Sequence, residues 1–414
     1  MRNRNRIAII GAGAAGLTTA ESLRRSGFGG KIMMVHAEST PPYDRPPLSK
    51  QVLAGTWPPE KVLLRSPATL EKLALDWSHR VQASHLDVEG HRVALSDGQH
   101  LEFDVAVIAT GLTPRSLASS GHDLQGVFVL RTLDDALALR HALAAGKRLV
   151  VVGGGFLGLE VAATAHQLGL EVEVIEPLPV CLEGPLGRAI GERVMHLQTA
   201  HGVRLRNGIG VRRLIGDQEQ GNGGAVTAVE LQDGTSVPAD VVLVAIGAQP
   251  ATDWLAGSGL TLQNGIVCNT FCEAAPDIYA AGDGANWYHP HLQRHLRLEH
   301  RMNATEQGQA VARNILGERQ PFAPMPFFWS DQFDVKIQMY GVASRGAELR
   351  IVEGALHEDR FVAAYYEEGE RLVAVLGWNS PKHLLSYRQR LLAAYTPSQE
   401  ANAALEHQKV SGVL

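Results

Sequence analysis

Residues 149 to 177 read LVVVGGGFLGLEVAATAHQLGLEVEVIEP, with Gly153, Gly155 and Gly158 placed directly behind an apolar run. The same spacing recurs at Gly11, Gly13 and Gly16 in IAIIGAGAAGLTTAESL. Between a strand and a helix, such a triplet suits one chemistry. The first glycine turns tightly, the second lets the backbone approach a pyrophosphate, and the third packs helix on strand, so the diphosphate rests at a helix N-terminus. A lone triplet is a weak signal, but each copy here lies between a β-branched run and an amphipathic pattern. An acid then closes each following strand: Glu38 stands 22 residues beyond Gly16, and Glu176 stands 18 beyond Gly158. Both lie near the roughly 20 expected of a carboxylate that binds ribose hydroxyls. Two dinucleotides on one chain are therefore expected.

The likeness between the halves continues downstream. HRVALSDGQHLEFDVAVIATG and AVELQDGTSVPADVVLVAIG each hold an Asp-Gly hairpin and a buried strand, ending at Gly111 and Gly247. One unit has been used twice. The 414 residues, 45% hydrophobic and 20% charged, suit about two or three domains with large cores. A net charge of -5 gives no bulk attraction to nucleic acid or membrane. The apolar run after MRNRNR is only IAII, too short for a signal sequence or a membrane span, so a cytoplasmic location is expected.

Cys181, Cys268 and Cys272 show neither CxxC nor zinc spacing. CNTFC follows NGIV and reads as strand, where thiols four residues apart are too distant to bridge. His289, His291, His295 and His300 crowd YHPHLQRHLRLEH, which reads as a surface loop of solvated histidines with no carboxylate or cysteine framework for a metal. QGNGGA at 220 to 225 reads as a flexible hairpin tip, and the chain from about 393 as a loosely attached tail.

Only the first repeat can be completed by DIYAAGDGANW, a strand entering a Gly-Asp turn at Gly282 and Asp283. With GAGAAG and the ATG turn, this resembles the FAD-binding unit of two-dinucleotide flavoproteins. PPYDRPPLSK at 41 to 50 narrows the resemblance, because it carries no redox-active cysteine pair where disulfide reductases of the superfamily have one. That segment, GGGFLGLEVAA, LRTLDDA, LRLEHRMNATEQG and PFFWSDQFDVKIQ look like the ferredoxin reductases of bacterial P450 and ring-hydroxylating dioxygenase systems, from residue 7 to about 390.

The resemblance implies an α/β protein with two Rossmann-like dinucleotide-binding domains of glutathione reductase type and a C-terminal α+β domain. The bounds expected are 1–113 with 248–322 for FAD, 114–247 for NAD, and 323–414 for the last domain. It implies FAD contacts from Gly11, Gly13, Ala14, Ala15, Gly16, Glu38, Arg45, Lys50, Ala83, Ala109, Thr110, Gly111, Arg131, Gly282, Asp283, Glu299 and Arg301, with Ala83 and Arg301 acting through backbone. Trp329 is expected beside the isoalloxazine, and Asn303 to Gly308 should open a helix aimed at the flavin. The NADH site is implied at Gly153, Gly155, Phe156, Leu157, Gly158, Glu160, Glu176 and Gly247, although PLPVCLEGPLG holds no Arg or Lys before Arg188.

Lys50 and Glu160, by type alone ordinary surface residues, are implied to pair at the flavin as the catalytic residues. The activity implied is reduction of FAD by NADH, followed by single-electron transfer to a [2Fe-2S] ferredoxin. The alternatives are an NADH oxidase or rubredoxin reductase, and a redox-sensitive binding flavoprotein of the apoptosis-inducing-factor type. No metal is expected. Arg65, Arg297, Arg301 and Arg313 are candidates for a basic docking patch near Trp329.

Overall fold

The structure, a computed structural model, describes residues 4–119, 121–217 and 224–395. Most of the predicted hairpin tip and almost all of the C-terminal tail lie outside those residues. IAII, VAVI, LVVV and VVLV are buried along their whole length, as strands covered on both faces must be. They form the centres of two sheets, the second parallel throughout and the first parallel except for its antiparallel edge strand 273–275.

The first sheet runs in the order 273–275, 278–280, 105–108, 6–10, 31–36, 76–79; the second runs 204–207, 171–176, 148–152, 241–244, 127–128. Each carries its cradle helix after the central strand, Ala14–Arg25 in one and Phe156–Gln167 in the other. Each also carries a three-stranded antiparallel ribbon, whose Asp-Gly turns place Gly98 and Gly234 at positive φ. The repeat read from the sequence is thus a repeat of topology. The chain leaves the first unit along Leu112–Pro114 and returns along Ala248–Pro250, and these two segments pair antiparallel. Residues on both sides of the second unit therefore complete one first sheet.

A third sheet is antiparallel, ordered 327–332, 335–341, 371–378, 361–367, 348–354. Its strands alternate in direction, and side chains from both of its faces are buried. Ile337, Phe361, Tyr365 and Trp378 join the core of the second unit. Val362, Ala364 and Val375 pack against Leu384 and Leu391 of the helix Pro381–Tyr395. Strand Phe327–Gln332 is held between the two cradle units as a result, touching both Phe156–Gln167 and the helix Arg301–Ile315. No helix of the described residues is long and apolar enough to cross a membrane.

Candidate functional site

The two glycine triplets have matching geometry. Gly11 has φ +107°, and a Cβ there would lie 2.3 Å from the Ala109 carbonyl oxygen; Gly153 has φ +111°, with 2.4 Å to that of Ala245. A Cβ on Gly16 would strike the Gly11 carbonyl at 1.9 Å, and one on Gly158 the Gly153 carbonyl at 2.1 Å. At Gly13 and Gly155, by contrast, it would meet nothing within 4 Å. The protein itself needs glycine at the outer positions of each triplet, whereas the middle position faces open space at a helix N-terminus, as a bound diphosphate requires. The residues present fit a dinucleotide in each cradle.

Around the first cradle, Glu38 takes hydrogen bonds from the Tyr43 hydroxyl and from Arg45, the latter at 2.7 Å. Burial pushes this carboxyl up, but Arg45 and Tyr43 overcome it and hold the group below its ordinary value. Glu38 therefore stays ionised. Arg131 reaches Asp283 at 3.4 Å, while burial and the nearby Arg45 depress its guanidinium. Thr110 donates its hydroxyl to the Ala251 carbonyl, next to Gly111 at φ +71°. Ala14 and Ala15 open the cradle helix, Ala109 is buried behind Gly11, and Gly282 packs beside Ala15. Ala83 begins an antiparallel strand opposite Leu95. Glu299 pairs with Arg297 at 2.9 Å, and the Arg301 side chain is held by Asp44 and Thr305. Trp329 is half-buried and stacks on Phe327.

In the second unit, the Glu176 carboxylate accepts the backbone N–H groups of Gly154 at 2.7 Å and Leu178 at 2.9 Å. The acid is thereby fixed at the mouth of the cradle. Phe156 opens the cradle helix and meets Phe328 edge-on, Leu157 is exposed beside it, and Gly247 sits at φ +90°.

The units meet at Glu160. Its Oε2 accepts from Lys50 Nζ at 2.7 Å and from the Ser49 hydroxyl at 2.6 Å, and its Oε1 accepts from the Ser330 hydroxyl at 2.8 Å. Gln332 donates to Ser330 and accepts from Gln198. One nearly buried carboxylate thus joins the first unit, the second unit and the C-terminal sheet. Sequence reasoning found Lys50 and Glu160 and missed Ser49, Ser330, Gln332 and Gln198. Ser49 and the pair Ser330 and Gln332 stand inside PPLSK and FWSDQ, so two quoted motifs already contained three of the four.

Three expectations need correction. CNTFC is not a continuous strand: the strand ends at Cys268, and the Asn269 side chain accepts the Phe271 and Glu273 N–H groups to make a turn that puts Cys272 at φ +63°. All three thiols are free and buried; burial pushes Cys272 up to about 12, Cys268 well above its ordinary value, and Cys181 upward also. None is a ready thiolate. The histidine segment is no solvated loop, because Ala285–His289 and Arg294–Leu296 pair as a hairpin. His289 is fully buried and bonds the Pro324 carbonyl, and burial pushes its imidazole down to about 4. Finally, Arg65, Arg297, Arg301 and Arg313 are ion-paired to Glu21, Glu299, Asp44 and Glu318, so they offer no free positive patch.

Residues 5–308 match the pyridine nucleotide-disulphide oxidoreductase family, and residues 327–411 match the reductase C-terminal domain. The chain belongs to the pyridine nucleotide-disulphide oxidoreductase family. Its cofactors are FAD and NAD(H), and it is an oxidoreductase with the two-cradle and C-terminal α+β architecture. It is 36% identical to putidaredoxin reductase of Pseudomonas putida, covering 92% of this chain and 90% of that one. The reductase component of the p-cumate 2,3-dioxygenase system of the same organism is 34% identical, with 93% and 92% covered. Among solved structures, the covalent putidaredoxin reductase–putidaredoxin complex matches with a TM-score of 0.89 at 34% identity, covering 94% of this chain and 93% of that one.

Proposed function

We propose that this protein is the NADH-dependent ferredoxin reductase of an oxygenase system, supplying a cytochrome P450 or a ring-hydroxylating dioxygenase through a small [2Fe-2S] ferredoxin. One observation carries the reading. Two dinucleotide cradles share a seam closed by Lys50 and Glu160, and no reactive thiol pair lies there to take electrons as a disulfide would. Both relatives named above are reductases by their names, one of them for a dioxygenase system.

In this reading residues 1–113 and 248–322 hold FAD, residues 114–247 hold NADH, and the C-terminal domain that begins at residue 323 covers the flavin. When bound, FAD takes a hydride from NADH and releases electrons singly, which is chemistry the cofactor supplies. The chain's own part is to bind, orient and shield. Gly13 and Gly155 admit the two diphosphates, Glu38 and Glu176 take ribose hydroxyls, Arg131 and Asp283 line the flavin side, and Trp329 closes it. Three buried, free thiols fit the reducing conditions of the cytoplasm.

NADH should be preferred over NADPH. Glu176 is pinned by two backbone N–H groups, so it cannot swing away from a 2′-phosphate, and the nearby Arg204 and Arg206 are engaged by Glu173. Opposing like charges should cost about 1.4 kcal/mol or more, roughly tenfold in specificity. Ferricyanide reduction with each nucleotide measures it, and Glu176→Ala should narrow the ratio; equal efficiencies in the native protein refute the assignment.

Ferredoxin should dock near Trp329. Stacked rings run from Trp329 through Phe327 to Tyr340, and Arg388 lies over Tyr340. The helix Pro381–Tyr395 also carries Lys382 and Arg390 and no acid. Redox encounters of this kind bury little area, usually under about 1,200 Å², so local charge matters more than the net -5. Cytochrome c reduction should require added ferredoxin and fall as salt passes about 0.1 M, while ferricyanide reduction changes less. No stimulation by any [2Fe-2S] ferredoxin tried would sink the proposal.

A further inference from the structure

The helix Arg301–Ile315 starts at His300 without any side-chain cap. Within its first turn lie three buried side-chain polar atoms that have no hydrogen-bond partner: Nδ1 of His300 and both Nδ2 and Oδ1 of Asn303. Asn303 is only 4% exposed, so its whole amide is withdrawn from water with nothing to bond. Buried donors and acceptors in folded proteins are nearly always paired, and an unpaired one is costly. Three together, beside an uncapped helix start whose positive end attracts electron-rich groups, mark a place built for a polar ligand.

The position fits one part of one ligand. Further along the same helix, Ala304 lies against Gly282, and a Cβ on Gly308 would meet the Ala15 carbonyl, so this helix flanks the first cradle. His300 lies 5.3 Å from the ring of Phe328, next to Trp329, and feels the charge of Asp283. A flat heteroaromatic ring edged with carbonyl oxygens and ring nitrogens would offer both donors and acceptors to an amide and an imidazole. Burial pushes His300 down to about 4, so near pH 7 it remains a neutral hydrogen-bonding group.

We propose that the side chains of His300 and Asn303 are ligands of the flavin's polar ring edge, completing a site that stays unsatisfied until FAD binds. This rests on the flavoprotein reading above. Neither side chain is among the contacts that the family resemblance implies.

The test is to compare empty and FAD-loaded full-length protein for the native sequence, Asn303→Leu and His300→Phe, by thermal melting, FAD titration and flavin absorption spectrum. Groups that lack partners without flavin should not be missed without it, so each variant's empty form should melt at or above the native temperature. FAD affinity should fall roughly tenfold for each, from the loss of a buried hydrogen bond, and the flavin bands should shift. Native affinity with an unchanged spectrum in both variants overturns the proposal. So does equal destabilisation of the empty and loaded forms, or failure of the variants to fold, since either would show that these groups hold the protein itself. If the native protein binds no FAD, the flavoprotein reading fails instead.

Discussion

Gly13→Val should yield a folded, colourless protein, and Gly155→Val a yellow one that NADH hardly reduces. The middle glycines face open space, so a larger side chain meets no protein atom within 4 Å of its Cβ. Valine there costs the fold only the weaker helix start, about 1 kcal/mol. A diphosphate must nevertheless approach the backbone at that point, and the added methyl groups occupy its place. FAD retention after purification should fall to near zero in the first variant, with circular dichroism unchanged. The second should keep its flavin absorbance, while the NADH concentration needed for half-maximal reduction rises at least roughly tenfold, by the loss of about 1.4 kcal/mol or more. Gly11→Ala is the counter-experiment. Its Cβ would lie 2.3 Å from backbone at φ +107°, so it should damage the fold itself and lower the melting temperature with or without FAD. Reversed phenotypes for Gly13→Val and Gly155→Val would exchange the cofactors between cradles.

The cradles were legible because their demands are local. A tight turn, a close backbone approach and a helix packed on a strand each require glycine within six residues, and buried parallel strands announce themselves as apolar runs. The flavin half could be told from the other because DIYAAGDGANW supplies the strand 278–280 that extends the first sheet beyond 105–108. What the sequence did not disclose depends on side-chain pairing over distance. Ser330 and Glu160 are 170 residues apart and Ser49 and Glu160 are 111 apart, so their hydrogen bonds exist only after three sheets assemble. The docking arginines were misread for the same reason. Arg301 lies close in sequence to flavin-site motifs, yet its charge is spent on Asp44, 257 residues away. HPHLQRH has the polarity of a loop, but hairpin pairing, the bond to the Pro324 carbonyl and the neighbouring Trp287 ring bury its first histidine. The Asn269 turn was signalled by an asparagine whose side chain could cap its own backbone.

Lys50→Met should slow reduction of the bound flavin by NADH at least roughly 100-fold, the scale expected when one preorganised charged donor is removed from a site where charge moves. FAD should remain bound. Glu160 would keep the Ser49 and Ser330 hydroxyls, so the junction between the three sheets survives this change. Glu160→Leu differs, because it leaves the Lys50 ammonium and both hydroxyls in a nearly buried seam without their acceptor. Breaking such a pair from one side costs about 3 kcal/mol or more, which should appear as a lower melting temperature as well as slow reduction. Glu160→Gln separates the two effects: the amide oxygen still accepts hydrogen bonds, so the melting temperature should recover more than the rate does. Stopped-flow bleaching of the flavin absorbance, alongside thermal melts of the three variants, reads both quantities. If Lys50→Met is reduced at the native rate while Glu160→Leu still melts early, the pair is a clamp between domains and takes no part in the chemistry.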